Sequence, residues 1–364
     1  MIKGKTVLYL SHVIWNWIKQ RPQYVAEELT TDFDVLYLQP QVHRDHGLAK
    51  NDINNLTVED IPRIPTLGGK LSFIAGVNDA IARQKVSSEI TNRGAHLLWL
   101  TSPLPFNWIP ADYSGKVIYD CMDDHGAFLS GADSLRMDTL ERKLVNRADF
   151  ILASSSRLVD KMHRLDVTGT KDVLLVRNGF DGKVIDLGDT EKTKPMVGGH
   201  FKACYFGTIG PWFDFSAVQE SLCRIPNLTY KIIGPVDDGV ELFQDERIEY
   251  TGPVAHDSLG EYVADCDFFV MPFQINDIVL SVDPVKIYEY INFGKDVVCV
   301  RYPEVERFVD YAELYNGIEG YCKALRKVIN SSCRKYSDEQ RVRILAESSW
   351  TSRIEPVLEK LGEF

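Results

Sequence analysis

Short runs rich in Val, Ile, Leu and Tyr recur along the chain, each followed by a longer stretch whose apolar residues have helical spacing. Strands that alternate with helices in this way pair as a parallel sheet whose two faces the helices cover. In the first half the spacing predicts strands at Thr6–Leu10, Asp34–Gln39, His96–Thr101, Lys116–Cys121, Phe150–Ser154 and Val173–Arg177. Helices fall between them over Gln20–Leu29, Val77–Asn92, Ala132–Asn146 and Arg157–Leu165. After Asn178-Gly179 the rhythm stops for a charged, apolar-poor stretch rich in Gly. It then resumes with strands at Ala203–Phe206, Leu228–Ile233, Ile248–Tyr250, Phe268–Pro272 and Val297–Val300. The second set of helices is predicted over Phe215–Cys223, Ser258–Ala264, Pro284–Phe293, Gly317–Ile329 and Asp338–Glu347. A chain of 364 residues is long enough for two such α/β domains at about 100 to 200 residues each. Ligands of these sheets gather at the carboxyl ends of the strands, so a reaction site is expected in a crevice between the halves.

Composition narrows the class. With 45% hydrophobic and 26% charged residues the chain has material for packed cores and no sign of disorder. Its seven cysteines are an odd number and form no Cys-x-x-Cys pair, so they read as small core residues rather than disulfides or zinc ligands. No apolar run approaches the roughly 18 to 20 residues of a membrane helix, and none has the form of a signal peptide, so a cytoplasmic location is expected. The net charge of −11 argues against a nucleic-acid partner. Residues 1–178 carry 21 basic and 21 acidic side chains, whereas residues 179–364 carry 20 against 31. The whole imbalance therefore lies in the second half, and the neutral first half leaves room for peripheral contact with an anionic membrane.

The sharpest constellation is Ser281-Val282-Asp283-Pro284-Val285-Lys286-Ile287-Tyr288-Glu289-Tyr290-Ile291-Asn292-Phe293-Gly294-Lys295. Asp283 suits an N-cap, Pro284 the first helical position and Gly294 the stop, which predicts a helix of about three turns. Lys286 then falls in the first turn, where free N–H groups already favour an anion, and Glu289 lies on the same face one turn on. A cation on a diphosphate and a carboxylate on ribose hydroxyls would hold a nucleotide. The competing reading is a surface Lys–Glu pair.

This wording resembles the donor-binding helix of GT-B glycosyltransferases of the group 1, family 4-like type, often Pro-x-Lys-x-x-Glu-Tyr-x-x-x-Gly-Lys-Pro-Val-Val. Further segments match in order: Gln20-Arg21-Pro22-Gln23, Tyr119-Asp120-Cys121-Met122-Asp123-Asp124, Asn178-Gly179, the run from Tyr205 to Asp214, and Ser349-Trp350 with Arg353. The resemblance extends over nearly the whole chain and is nearest to bacterial teichuronic-acid and exopolysaccharide enzymes. It implies two Rossmann-like domains facing each other across a cleft: residues 1–180 for the acceptor, 181–200 as linker, 201–345 for the donor, and a returning helix over 346–364. It departs from the family at Ser281, near where many relatives carry a glutamate that contacts the donor sugar, and at Asp296, in place of a proline.

Around the expected site, Gly207, Thr208 and Gly210 form a strand-to-helix turn that can bring backbone N–H groups to a phosphate, or are a plain tight turn. Trp212 and Asp214 border that region, unless Asp214 caps the next helix. Asp120, Asp123, Asp124 and His125 follow a strand, where crowded carboxylates favour a raised pKa and general-base work. Asp123 is the first choice as base because it occupies the place of the family's His-Asp pair, with Asp124 and His125 next; capping of the following segment is the plainer reading. His12, Trp15, Trp17 and Arg21 sit where an acceptor would approach, although Arg21 also suits a structural role. Asp32-x-Asp34 and Asp265-x-Asp267 read as structural, so neither a metal nor a resident cofactor is implied. The resemblance thus implies transfer of a hexose from a nucleotide sugar, UDP-linked by family habit, to a hydroxyl of a glycan or lipid-linked acceptor in surface polysaccharide synthesis. A sugar-nucleotide epimerase on the same fold and a non-catalytic carbohydrate-binding protein are the alternatives.

Overall fold

The computed structural model describes residues 5–16, 19–41, 53–65, 72–180, 182–186 and 199–362. The chain divides into two compact units, Met1–Gly179 with Trp350–Phe364, and Phe180–Ser349. Most of the 181–200 stretch predicted as a linker lies outside the described residues.

In the first unit, strands β1 (Thr6–Leu10), β2 (Asp34–Pro40), β3 (Leu56–Ile61), β4 (Leu97–Leu100), β5 (Lys116–Cys121), β6 (Phe150–Ala153) and β7 (Val173–Leu175) form one sheet in the order 3-2-1-4-5-6-7. Every neighbouring pair is parallel. Successive side chains point to opposite faces, and both faces are covered. Leu8, Leu10, Leu98, Leu100, Val117 and Tyr119 pack on one side with Ala82, Val86, Leu144, Leu158 and Met162 from the helices Ser72–Arg93, Gly131–Arg147 and Ser156–Leu165. Val7, Tyr9, Val35, Tyr37, Trp99 and Ile118 pack on the other with Val25 and Leu29 of the Arg21–Leu29 helix and Ile354 and Val357 of the Trp350–Leu361 helix. Tyr9 stacks between Tyr37 and Trp99, at ring separations of 5.3 and 5.8 Å. Burial of each such side chain is worth about 1.5 to 3 kcal/mol.

The second unit repeats the plan with β8 (Phe201–Phe206), β9 (Leu228–Ile233), β10 (Ile248–Gly252), β11 (Phe268–Met271), β12 (Asp296–Val300) and β13 (Ala312–Tyr315), in the order 10-9-8-11-12-13 and again parallel. In both sheets the strand order reverses beside the first strand, between β1 and β4 and between β8 and β11. Doubly wound sheets bind ligands at such a switch point, outside the carboxyl ends of the strands. No helix among the described residues is long and apolar enough to cross a membrane.

Several expectations need correction. Strands β3 and β13 and the short helix Asp277–Ser281 were not predicted. The helix expected from Pro284 begins at Lys286 and runs only to Asn292, with Val285 at its N-cap and no side-chain cap. Five cysteines are buried as expected, but Cys223 and Cys333 are exposed.

Candidate active site

In the second unit the candidate groups surround the end of β8. Phe206 is followed by Gly207, whose amide donates to the Ile233 carbonyl at 2.8 Å, and β9 is followed by Gly234, whose amide donates to Gly252 at 2.9 Å. Gly207 and Gly234 have φ values of 138° and 143°, a region that side-chain-bearing residues avoid. The second reason for glycine is space. A Cβ on Gly207 would overlap Lys286 Cε, and one on Gly234 would overlap the Gly207 carbonyl oxygen. The Lys286 side chain therefore lies directly against the β8 turn. Its ammonium makes no hydrogen bond or ion pair among the described residues, and desolvation lowers its pKa, with only Glu289 opposing. A partly desolvated, unpaired ammonium against a half-buried glycine turn is a site that an anion would stabilise.

The other residues of this constellation have found partners. Glu289 Oε1 accepts from His256 Nε2 at 2.8 Å, with the His256 side chain 72% exposed. Asp283 does not cap a helix; it is buried and paired with the Arg307 guanidinium, which also faces Tyr288. The helix begins at Lys286, with Val285 already in the helical region as its N-cap. Ser281 is buried, and its hydroxyl donates to the Asp277 carbonyl at 2.8 Å. Thr208 accepts the Tyr205 hydroxyl on its carbonyl at 2.7 Å. Gly210 lies under the Trp212 ring, and Asp214 caps the Phe215–Arg224 helix by accepting from the Ala217 amide at 3.0 Å. Asp265 pairs with Lys202 and Lys231, and Asp267 accepts from the Lys202 amide, so this Asp-x-Asp pair ties strands together.

In the first unit the candidates lie beyond β1, β4 and β5, around the switch point. His12 Nδ1 is 3.2 Å from Thr101 Oγ1, and the His125 ring meets the His12 ring edge-on at 5.3 Å. Burial lowers the pKa of His12 to about 4 and that of His125 to about 3, the latter helped by His12 and Lys161. Both imidazoles are neutral at pH 7. His125 Nε2 is buried without a hydrogen-bond partner among the described residues, so it is suited to meeting a ligand hydroxyl rather than a charge.

The carboxylates after β5 separate clearly. Asp120 receives Arg21 Nε at 2.9 Å and is buried. Asp124 receives Lys161 Nζ at 2.6 Å. Asp123 lies between them in sequence, and its carboxylate has no hydrogen bond or ion pair among the described residues. Desolvation raises its pKa to about 7, opposed by Arg21 and reinforced by Asp124. A carboxylate poised near neutrality at a strand end has the properties of a general base.

Two acceptor-side candidates make contacts within the first unit. Arg21 is 4% exposed and turns inward, donating to Asp120, to the Val176 carbonyl at 2.7 Å and to Asn178. It ties the first helix to β5 and the chain beyond β7, as its structural reading expects. Trp15 is half-buried, its amide donating to Gln39 at 2.6 Å and its indole packed edge-on against Tyr37 at 5.0 Å. Trp17 lies outside the described residues. Sequence reasoning passed over Thr101, Lys161 and His256, because each reaches the site from an element distant in sequence.

Two parallel doubly wound sheets of 3-2-1-4 order, with unpaired polar groups at the strand ends of each, define the class of fold: GT-B, built from two Rossmann-like units. No protein-family model matches the chain. It is 25% identical over 337 residues to TuaH of Bacillus subtilis, provisionally named a teichuronic acid biosynthesis glycosyltransferase, a match that spans 85% of this chain and 83% of that protein. Sucrose-phosphate synthase of Thermosynechococcus elongatus superposes with a TM-score of 0.75 at 11% identity, covering 99% of this chain and 98% of that one. Anabaena HepE, solved in complex with UDP and glucose, gives a TM-score of 0.63 at 16% identity, covering 98% and 99%.

Proposed function

We propose that the chain transfers a sugar from a nucleotide sugar, UDP-linked, to a hydroxyl of a glycan or lipid-linked glycan in the synthesis of a bacterial surface polysaccharide. The observation that carries this reading is the pair of unpaired groups, Lys286 against the Gly207 turn and Asp123 beyond β5. The name of TuaH supports the pathway, and UDP in HepE supports the donor.

In this reading Lys286 and the Gly207–Gly210 backbone hold the diphosphate, and Glu289 turns from His256 to accept the ribose hydroxyls. Diphosphate binding needs this local arrangement because the donor unit is the acidic half of the chain. The first unit binds the acceptor, with His12 and His125 as neutral hydrogen-bonding groups. The acceptor oxygen attacks the anomeric carbon, and the bond from that carbon to the diphosphate oxygen breaks with its electron pair on the diphosphate. The hydroxyl proton passes to Asp123 in an inverting transfer, or to the departing phosphate oxygen in a retaining one; the anomeric form of the product distinguishes them. The chain acts in the cytoplasm without a resident cofactor or metal, and a lipid-linked acceptor would bring its first unit to the inner face of the membrane.

The test is a panel of nucleotide sugars incubated with the protein and acceptor glycans, with nucleotide release followed in the presence and absence of a chelator. Release from a UDP-sugar, unchanged by chelation and, in an inverting transfer, reduced about 10²- to 10⁴-fold in Asp123→Asn, is expected. A protein that releases nucleotide from no donor refutes the transferase reading.

A further inference from the structure

The loop from Met122 to Gly126 carries Asp123, and its neighbours hold it from several sides. Ser154 Oγ donates to the Met122 carbonyl at 2.8 Å, and Ser134 Oγ donates to the Gly126 carbonyl at 3.1 Å. The strongest tie is ionic. Lys161 Nζ, from the Ser156–Leu165 helix, lies 2.6 Å from Asp124 Oδ1 and 2.6 Å from Glu141 Oε2 of the Gly131–Arg147 helix. Glu141 is fully buried and accepts the Tyr119 hydroxyl of β5 on its other oxygen at 2.7 Å. One ammonium thus joins two helices, the fifth strand and the loop.

This bridge does more than fold the unit. Asp124 is the covalent neighbour of Asp123, and two adjacent carboxylates repel when both are ionised. A lysine in contact with Asp124 offsets part of that repulsion and fixes which carboxylate stays unpaired. The titratable and charged groups packed around the loop include Cys121, Asp120 with Arg21, His12, His125, Asp138, Glu141 and Lys161. Arg21 is paired with Asp120 at 2.8 Å and donates to the Val176 carbonyl and to Asn178, so the lysine and not the arginine is the cation in contact with Asp124.

We propose that Lys161 is a positioning residue for the base: by bridging Asp124 and Glu141 it fixes the loop and leaves Asp123 as the carboxylate that takes the proton. The proposal rests on the transferase reading only in calling Asp123 the base. Its electrostatic part is measurable without donor or acceptor.

The experiment follows the Asp123 carboxyl carbon by NMR in the full chain labelled at aspartate, assigned with Asp123→Asn. In the unaltered chain it titrates near pH 7. In Lys161→Met the midpoint rises by about one pH unit or more, because Asp124 is left unneutralised beside it. Lys161→Arg restores the original midpoint. Where Lys161→Met alone does not fold, Lys161→Met combined with Glu141→Gln removes the buried pair together, leaves Asp124 unneutralised, and shows the same rise. If the Asp123 midpoint is unmoved in the folded variant, the bridge is only structural and the proposal fails. In an active enzyme the acid limb of kcat/KM moves with the NMR midpoint; if the unaltered chain has no turnover, the transferase reading falls while the titration still decides the role of Lys161.

Discussion

Replacing Asp123 by Asn separates stability from activity, because the same desolvation that prepares the base also strains the fold. The folded-state pKa of about 7 stands well above the ordinary aspartate value of 3.8. The folded chain therefore binds more protons than the unfolded chain between those values, and stability falls as pH rises through that window. At 1.36 kcal/mol per pH unit the gap corresponds to about 4 kcal/mol, reduced to about 2 to 4 kcal/mol because Asp123 is partly open to solvent. Asn has nearly the same shape and no charge to desolvate. At pH 8 the variant is expected to be more stable by about that amount, a rise in melting temperature of roughly 5 to 10 °C for the unit that carries it. At pH 4, where the carboxyl is protonated in the folded chain and already about four-tenths protonated in the unfolded one, most of the advantage disappears, leaving about 0.5 kcal/mol. Transfer falls by about 10² to 10⁴ with donor affinity retained if Asp123 takes the proton. The assay is urea unfolding of both chains from pH 4 to 8, beside initial rates. Equal stability of the two chains across that range would show that Asp123 is not held in a desolvating site, and the argument for its role as base would lapse.

Gly207→Ala forces a Cβ into Lys286 at a backbone angle unsuited to alanine, so a loss of about 1 to 3 kcal/mol in urea unfolding and weaker UDP binding are expected. An alanine variant with unchanged affinity and stability would show that the turn does not need its glycine. Arg21→Met leaves the Asp120 carboxylate buried without its partner and is expected to destabilise the first unit by about 3 to 5 kcal/mol, measured by denaturant unfolding. A loss below about 1 kcal/mol would return Arg21 to the acceptor side.

Strands β1, β5 and β9 were legible to the residue, because both of their faces are largely buried and their sequences are short runs dominated by Val, Ile, Leu and Tyr. The two strands that escaped, Leu56–Ile61 and Ala312–Tyr315, are edge strands of their sheets. Leu56–Ile61 carries Glu59 and Asp60, so its pattern does not resemble an interior strand. The site was legible as a set of residues and not as a set of pairings. Which member of the Asp120 to Asp124 run stays unpaired depends on Arg21 and Lys161, 99 and 37 positions away from their partners. Asp283 and Pro284 form a sound helix start by local rules, but Asp283 pairs with Arg307, 24 positions on, and the helix begins at Lys286. Gly207 was visible as a turn glycine, but the side chain that fills the space above it, Lys286, belongs to another element.

The central claim is that the second unit holds a nucleotide diphosphate through Lys286 against the Gly207 turn. Calorimetric titration of UDP into the full chain and into Lys286→Ala tests it most directly. The account predicts saturable one-to-one binding to the unaltered chain and a loss of about ten- to a hundredfold in the variant, the worth of a charge-assisted hydrogen bond of roughly 1.5 to 3 kcal/mol. Equal affinity of the two chains for UDP, or no binding of UDP to either, would contradict it.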